Sequence, residues 1–193
     1  MPKENLNSYH AVIALAGRRI DAPETKTARF PLKSVPIVRE RLAAMLAAEN
    51  AEALVCSAAC GADLIALAEA ERLGLRRRIV LPFPAKRFRE TSVTDRPGEW
   101  GSLYDRLIVE AKAAGDLVVL SGTDDDDAAY AAANTTIVHE AEALAKATSD
   151  GRPYRLVAVI VWEGSAREGT DASGGLLTLA KQAGFEERSV LTQ

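Results

Sequence analysis

The stretch 54–74, LVCSAACGADLIALAEAERLG, decides how this chain is read. Leu54 and Val55 close an apolar run of strand character. Residues 57–62 then carry almost no side-chain bulk, and Asp63 heads a run whose Leu and Ala residues recur at helical spacing up to a stop at Gly74. The pattern is a strand turning directly into a helix. Such a helix start leaves N–H groups unpaired and carries partial positive charge, which suits an anion. Small residues let a ligand come close to the backbone; they equally let the helix pack close to the sheet. Ser57 can cap the helix or donate to a phosphate oxygen. Asp63 either sits favourably at the helix dipole or partners a ligand hydroxyl. On the ligand reading, Ala59 to Gly61 bind an anion, and Gly61→Val is expected to weaken nucleotide binding while leaving the fold intact.

Outward from this junction the same alternation repeats. Residues 9–17 (YHAVIALAG) read as a buried strand and 32–50 as a helix with Pro36 in its first turns, where proline is tolerated. Strands are expected at 51–57, 76–83, 116–122, 154–164 and within 185–193, and helices at 59–74, 102–115, 128–148 and 175–184. Residues 84–101 read as a loop. Short, continuous apolar strands alternating with helices predict an α/β fold: a three-layer αβα sandwich around a mainly parallel sheet of five to six or more strands. The 193 residues suit one domain spanning 1–193. Ligands of such sheets bind at the carboxyl ends of the strands, so the residues just after each strand are the candidates.

Nearly half the residues are apolar and the net charge is −3, which argues against a general nucleic-acid binder. The opening residues do not read as a signal peptide and no apolar run reaches membrane length, so a cytoplasmic location is expected. Cys56 and Cys60 do not form a C-x-x-C pair, and the two histidines, His10 and His139, lie far from them in sequence. Neither a metal site nor a disulfide is expected; both thiols read as small buried residues. G-x-G-x-x-G is absent, so an ordinary dinucleotide site, and with it a resident cofactor, is not expected.

Four other stretches carry polar groups beyond strand ends. Gly17-Arg18-Arg19-Ile20-Asp21 offers two forked guanidinium donors for a phosphate and an acceptor for a ribose or base, or else a solvated loop with an internal Arg–Asp pair. Arg87, Glu90 and Thr91 lie in the 84–101 segment, whose length suits a lid as well as a plain surface loop. In the Asp124 to Asp127 run one carboxylate is a good helix cap, and Tyr130 and Asn134 share one helical face. Ser173, Gly174 and Gly175 form a second small-residue helix start able to bind a phosphate oxygen.

Residues 56–74 resemble the S-G-G-A-x-G-A-D-x-x-A pattern of the SLOG superfamily, which includes the DNA-processing protein A, Lonely Guy and molybdenum-cofactor-carrier-like families. Ala59, Gly61, Ala62 and Asp63 match; Ser57 and Ala58 stand where the pattern has glycines. Further stretches resemble a bacterial, signalling-associated branch: Gly17 to Pro23, Val80 to Phe83, Phe88 to Val93, Tyr130 with Asn134, and Trp162, Gly164, Gly174 and Gly175. The resemblance covers most of the chain. It implies a Rossmann-like fold and a nucleotide or nucleotide-like ligand, with Tyr130 and Asn134 facing the pocket. Lonely Guy enzymes also carry a catalytic Glu after their late glycines, and here Leu179, Ala180 and Lys181 follow Thr178 instead.

The leading expectation is a module that binds or senses a nucleotide-like small molecule. The alternative is a phosphoribohydrolase-like N-glycosidase, for which Asp63, Asp21 and Glu90 are the carboxylates able to support an oxocarbenium-like centre. General nucleic-acid and membrane partners are not expected, and a homodimer is left open.

Overall fold

The computed structural model describes residues 9–121, 125–147, 154–165 and 172–193. The apolar runs become six strands: β1 (His10–Gly17), β2 (Ala51–Cys56), β3 (Arg76–Leu81), β4 (Leu117–Val119), β5 (Tyr154–Trp162) and β6 (Glu186–Leu191). They form one sheet in the order β4-β3-β2-β1-β5-β6, and every pairing is parallel. The expected α/β sandwich is therefore what the chain adopts. The helices are α1 (Val35–Ala48), α2 (Ala62–Arg72), α3 (Ala85–Ser92), α4 (Gly101–Ala113), α5 (Asp126–Ala147) and α6 (Ala172–Gln182).

Strand pleating divides the core into two layers. On β1, Ala11, Ile13 and Leu15 point to the face covered by α1 and α2, while Val12 and Ala14 point to the face covered by α5 and α6. The strand order explains this. From β1 to β4 the chain steps one way along the sheet; after β4 it returns past β1 to β5 and β6. A crossover of constant hand puts its helix on the opposite face when the direction reverses. Helix α5 makes that return, and its 22 residues span about 33 Å. Its buried face is rich in alanine (Ala129, Ala133, Ala141), so it lies flat on the strands it crosses.

Gly74 stops α2 as expected. Its φ of +72° lets its N–H reach Glu71 O while Leu75 N–H reaches back to Ala70 O, which satisfies the last carbonyls. The 84–101 segment departs from expectation. It contains α3, so two helices lie between β3 and β4 and the strict alternation breaks. Only Phe88 and Ser92 of α3 are buried, too few apolar positions to show a helical period. No described helix is long and apolar enough to cross a membrane.

The small-residue junction is a place where the chain passes over itself. The segment leaving β1 forms an antiparallel bridge, Arg19 to Gly61, and Ala62 N–H donates to Arg18 O at 3.1 Å. Gly61 holds φ +100°, and a Cβ there would lie 2.8 Å from Arg18 O and 2.9 Å from Ile20 N. Gly17 is equally confined: a Cβ would lie 2.4 Å from Ala62 Cβ and 2.6 Å from Val161 Cβ. The expectation that Gly61→Val leaves the fold intact is thereby corrected. The space beside Gly61 is filled by the chain. Gly61→Ala should lower stability by about 1–3 kcal/mol through backbone strain alone, and Gly61→Val by more. Urea unfolding measures this, and unchanged midpoints would contradict the packing role.

Candidate functional site

A cavity of about 950 Å³ opens at the carboxyl ends of the strands, where the strand order reverses beside β1. Its walls come from five stretches far apart in sequence: the end of β1 with the loop to Arg29, the β2–α2 junction, the end of α3 with Arg96, the first turns of α5, and the start of α6. Of the residues singled out in the sequence, Gly17, Arg18, Arg19, Asp21, Ser57, Ala59, Asp63, Tyr130, Asn134 and Gly175 line it.

Arg18 lies in the cleft between the ends of β1 and β5 and is 3% exposed. Its Nε donates to Glu163 Oε2 at 2.7 Å and its Nη2 to Ser165 O at 2.9 Å. Burial acts to raise the Glu163 carboxyl, but the hydrogen bond from Arg18, a backbone hydrogen bond and the charges of Arg18 and Arg29 together outweigh it and hold the group below the usual carboxylate range. Arg19 turns the other way. Its Nη1 donates to Asp95 at 2.9 and 3.0 Å and to Thr91 O at 3.0 Å. The internal Arg–Asp pair is therefore not the one considered within residues 18–21. Asp21 instead accepts the N–H groups of Arg29 and Phe30, both at 3.0 Å, and so folds the 22–28 loop back over the cavity.

The anion site expected at Ala59 to Gly61 is also corrected. Two of its three amides are taken by the chain, Ala59 N–H donating to Asp63 Oδ2 at 3.1 Å and Cys60 N–H to Ser92 O at 3.0 Å, and the next, Ala62 N–H, donates to Arg18 O. What this corner presents instead is a carboxyl. Asp63 is 6% exposed. Burial raises it from 3.8 to about 7, against the Ala59 amide and the Arg19 charge, which lower it. Ser57 also lines the cavity, and its Oγ is buried without a hydrogen-bond partner among the described residues.

Across the cavity, Tyr130 is both core and wall. Its ring meets Phe83 edge-on at 5.6 Å between centroids, and its hydroxyl hydrogen-bonds Ser92 Oγ at 2.8 Å. Asn134 is 8% exposed and lies close to Gly175, where a Cβ would stand 3.5 Å from its Nδ2.

The remaining candidates fall elsewhere. Gly61 is beneath the Arg18–Ile20 strap. Arg87 stacks its guanidinium 3.9 Å above the Phe83 ring and pairs with Asp126 at 2.6 Å, outside the cavity wall. Glu90 and Thr91 are exposed on α3, and Thr91 Oγ1 donates back to Arg87 O. The lid reading of this segment gives way to a packed helix. Gly174 sits in the first turn of α6, where its carbonyl accepts from Thr178 Oγ1, and is not among the wall residues. The side chain of Ser173 lies outside the described residues, as do Gly122 to Asp124; Asp125 caps α5 by accepting the N–H groups of Asp127 and Ala128.

Sequence reading missed Arg29, Ser92, Arg96 and Thr178. The signal for Arg29 was Asp21 itself, because an Asp ahead of Ala-Pro in a polar loop marks a turn that returns the chain. Among the described residues no His, Cys, Asp or Glu cluster is arranged to hold a metal ion. Both cysteines are free and buried, and burial pushes the Cys60 thiol up to about 11. No protein-family profile matches the chain, and no curated protein matches it.

The Asp63 shift has a definite sign in stability. A carboxyl near 3.8 when unfolded and about 7 when folded binds its proton more tightly in the native state. Its contribution is full below the unfolded value and is lost as pH rises from about 4 to 7. Asp63→Asn removes that loss. The variant should gain on the wild type across this window, by on the order of 3–4 kcal/mol at the top. Paired denaturation curves at pH 4.5 and 7.5 check it, and a constant gap would show that Asp63 titrates normally.

Proposed function

We propose that the cavity binds a nucleotide or nucleotide-derived phosphate, and that the chain is a SLOG-like ligand-binding or sensing module. The observation that carries this reading is the cavity itself. It sits where a sheet of this order receives its ligands, its volume admits a nucleotide, and it joins cationic, acidic and apolar walls. The resemblance of residues 56–74 and of the later stretches to that superfamily supports the same ligand class.

With the Ala59, Cys60 and Ala62 amides occupied, the arginines are the charged donors for an anion. Arg29 meets Glu163 at 3.4 Å and Arg96 meets Asp95 at 3.7 Å. These are long for charge-assisted pairs, so each fork retains donors for a phosphate. Arg18 and Arg19, with short pairs of their own, hold the walls. The apolar share comes from Ile20, Tyr130, Ala133 and Ile137, a surface suited to a base.

A second reading, cleavage of a nucleoside monophosphate to free base and ribose phosphate, is favoured by one observation. Of the three carboxylates suited to that step, Asp21 is committed to two amides and Glu90 is exposed on α3, so Asp63 alone stands buried in the cavity wall. Calorimetry with the common nucleoside monophosphates tests binding, and chromatography of the same mixtures tests for released base. Binding without release supports the sensing module; release that Asp63→Asn abolishes supports the hydrolase; neither binding nor release overturns both. Arg96→Ala is expected to weaken a bound monophosphate about ten- to a hundredfold without altering thermal unfolding, the loss of one charge-assisted hydrogen bond.

A further inference from the structure

The corner formed by β2 and α2 has the opposite polarity from the one its shape suggests. A strand that turns directly into a helix ordinarily offers amides to an anion. Here Ala59, Cys60 and Ala62 donate to Asp63, Ser92 and Arg18, and the group that lines the cavity is the Asp63 carboxyl. A phosphate at this corner would meet a carboxylate in a buried setting, where like charges repel most strongly. A hydrogen-bond donor would meet an acceptor that has one amide partner, and Ser57, whose buried hydroxyl is unpartnered, lines the same cavity.

We infer that the Ser57–Asp63 corner is a hydroxyl-recognition subsite, which takes the ribose diol of the ligand and directs its phosphate away toward Arg29 and Arg96. The inference rests on the nucleotide reading of the cavity and deepens it: the ligand class becomes ribonucleotides rather than 2′-deoxyribonucleotides. The sugar is the part that fits. The base finds its apolar wall at Tyr130 and Ile137 and the phosphate its cations at the arginines, which leaves the hydroxyl-bearing centre of the molecule for the acidic corner. A vicinal diol supplies two donors at fixed spacing. One hydroxyl can reach the carboxylate, and the Ser57 hydroxyl, buried and with no partner to surrender, can turn to the other by rotation about χ1.

The protonation state of Asp63 then sets the strength of this contact. The groups that act on it are the Arg19 guanidinium, from the loop after β1, and the Cys56 thiol at the end of β2, which burial holds neutral. A carboxyl near 7 is mostly protonated at pH 6 and mostly ionised at pH 8, and a hydroxyl donates far better to the ionised form.

The test compares four ribonucleoside monophosphates with their 2′-deoxy counterparts by calorimetry on the full chain. Each ribonucleotide that binds should do so about ten- to a hundredfold more tightly than its deoxy partner, the loss of one hydrogen bond to a charged group. That ratio should grow from pH 6 to pH 8, and because both partners carry the same phosphate, the phosphate's own titration cancels. Asp63→Asn should shrink the ratio and remove its pH dependence, and Ser57→Ala should shrink it at every pH. Equal ribo and deoxy affinities at pH 8 overturn the subsite while leaving nucleotide binding in place. So does a preference among bases that Asp63→Asn abolishes with the ribo-to-deoxy ratio unchanged, since it assigns the carboxyl to a base amine. If none of the eight compounds binds, this inference and the nucleotide reading fall together.

Discussion

The site depends on one close passage of backbone over backbone. The chain leaving β1 runs across the first residues of α2 so tightly that Gly61 has no room for a Cβ, and Gly17 has none against Ala62 and Val161. This contact fixes the height of Arg18 above the sheet and delivers it to Glu163 at the end of β5. It also consumes the amide of Ala62, while Ser92 from α3 takes that of Cys60. Two segments, the strap after β1 and the end of α3, are thereby tied to the α2 start before any ligand is considered. The small residues make room for the protein's own chain, and the bonds that hold the helix start in place use the amides of Ala59, Cys60 and Ala62.

That passage also governs the electrostatics. Arg18 and Glu163 fill the cleft between β1 and β5, the place where a sheet of this strand order would otherwise be most open. Arg19 braces the opposite wall through Asp95 and the carbonyl of Thr91. Pairing of this kind keeps buried charges tolerable, since removing one partner strands the other in low dielectric. Asp63 is the exception. It is buried, has an amide but no guanidinium in hydrogen-bond contact, and answers by holding its proton to about 7.

The fold was legible because its elements are locally consistent. Val12 to Leu15, Leu54 with Val55, and Val157 to Val161 are apolar runs with nowhere to go but a sheet covered on both faces, and the helical spacing between them left few alternatives. The site was half legible. Position after a strand end located Gly17 to Asp21, Ser57 and Asp63, because strand direction alone puts those residues on one edge. It could not say what Gly61 was small for. A ligand and a crossing strap impose the same demand on a residue, and only the path of residues 18–20 separates them. Arg87 and Glu90 failed for a different reason. Their segment folds as α3, whose two buried positions fix which side faces inward, and two positions are too few to read as a period. Arg29 and Arg96 were invisible because a loop's return path depends on bonds such as those of Asp21, which connect residues eight and nine apart.

The strand order has one more consequence. The reversal at β1 draws the cavity from five segments that lie between residues 15 and 179, so no subdomain of the chain contains it. Its assembly requires the first strand, the returning α5 and the late α6 together. A molecule held there has affinity for the completed chain and none for a partly folded one. Occupancy is then coupled to global folding by mass action, adding about 2.7 kcal/mol when the free ligand stands at a hundred times its dissociation constant. In a cell, such coupling would make abundance itself a readout: the fraction of chains that escape proteolysis would rise and fall with the concentration of any molecule that fills the cavity.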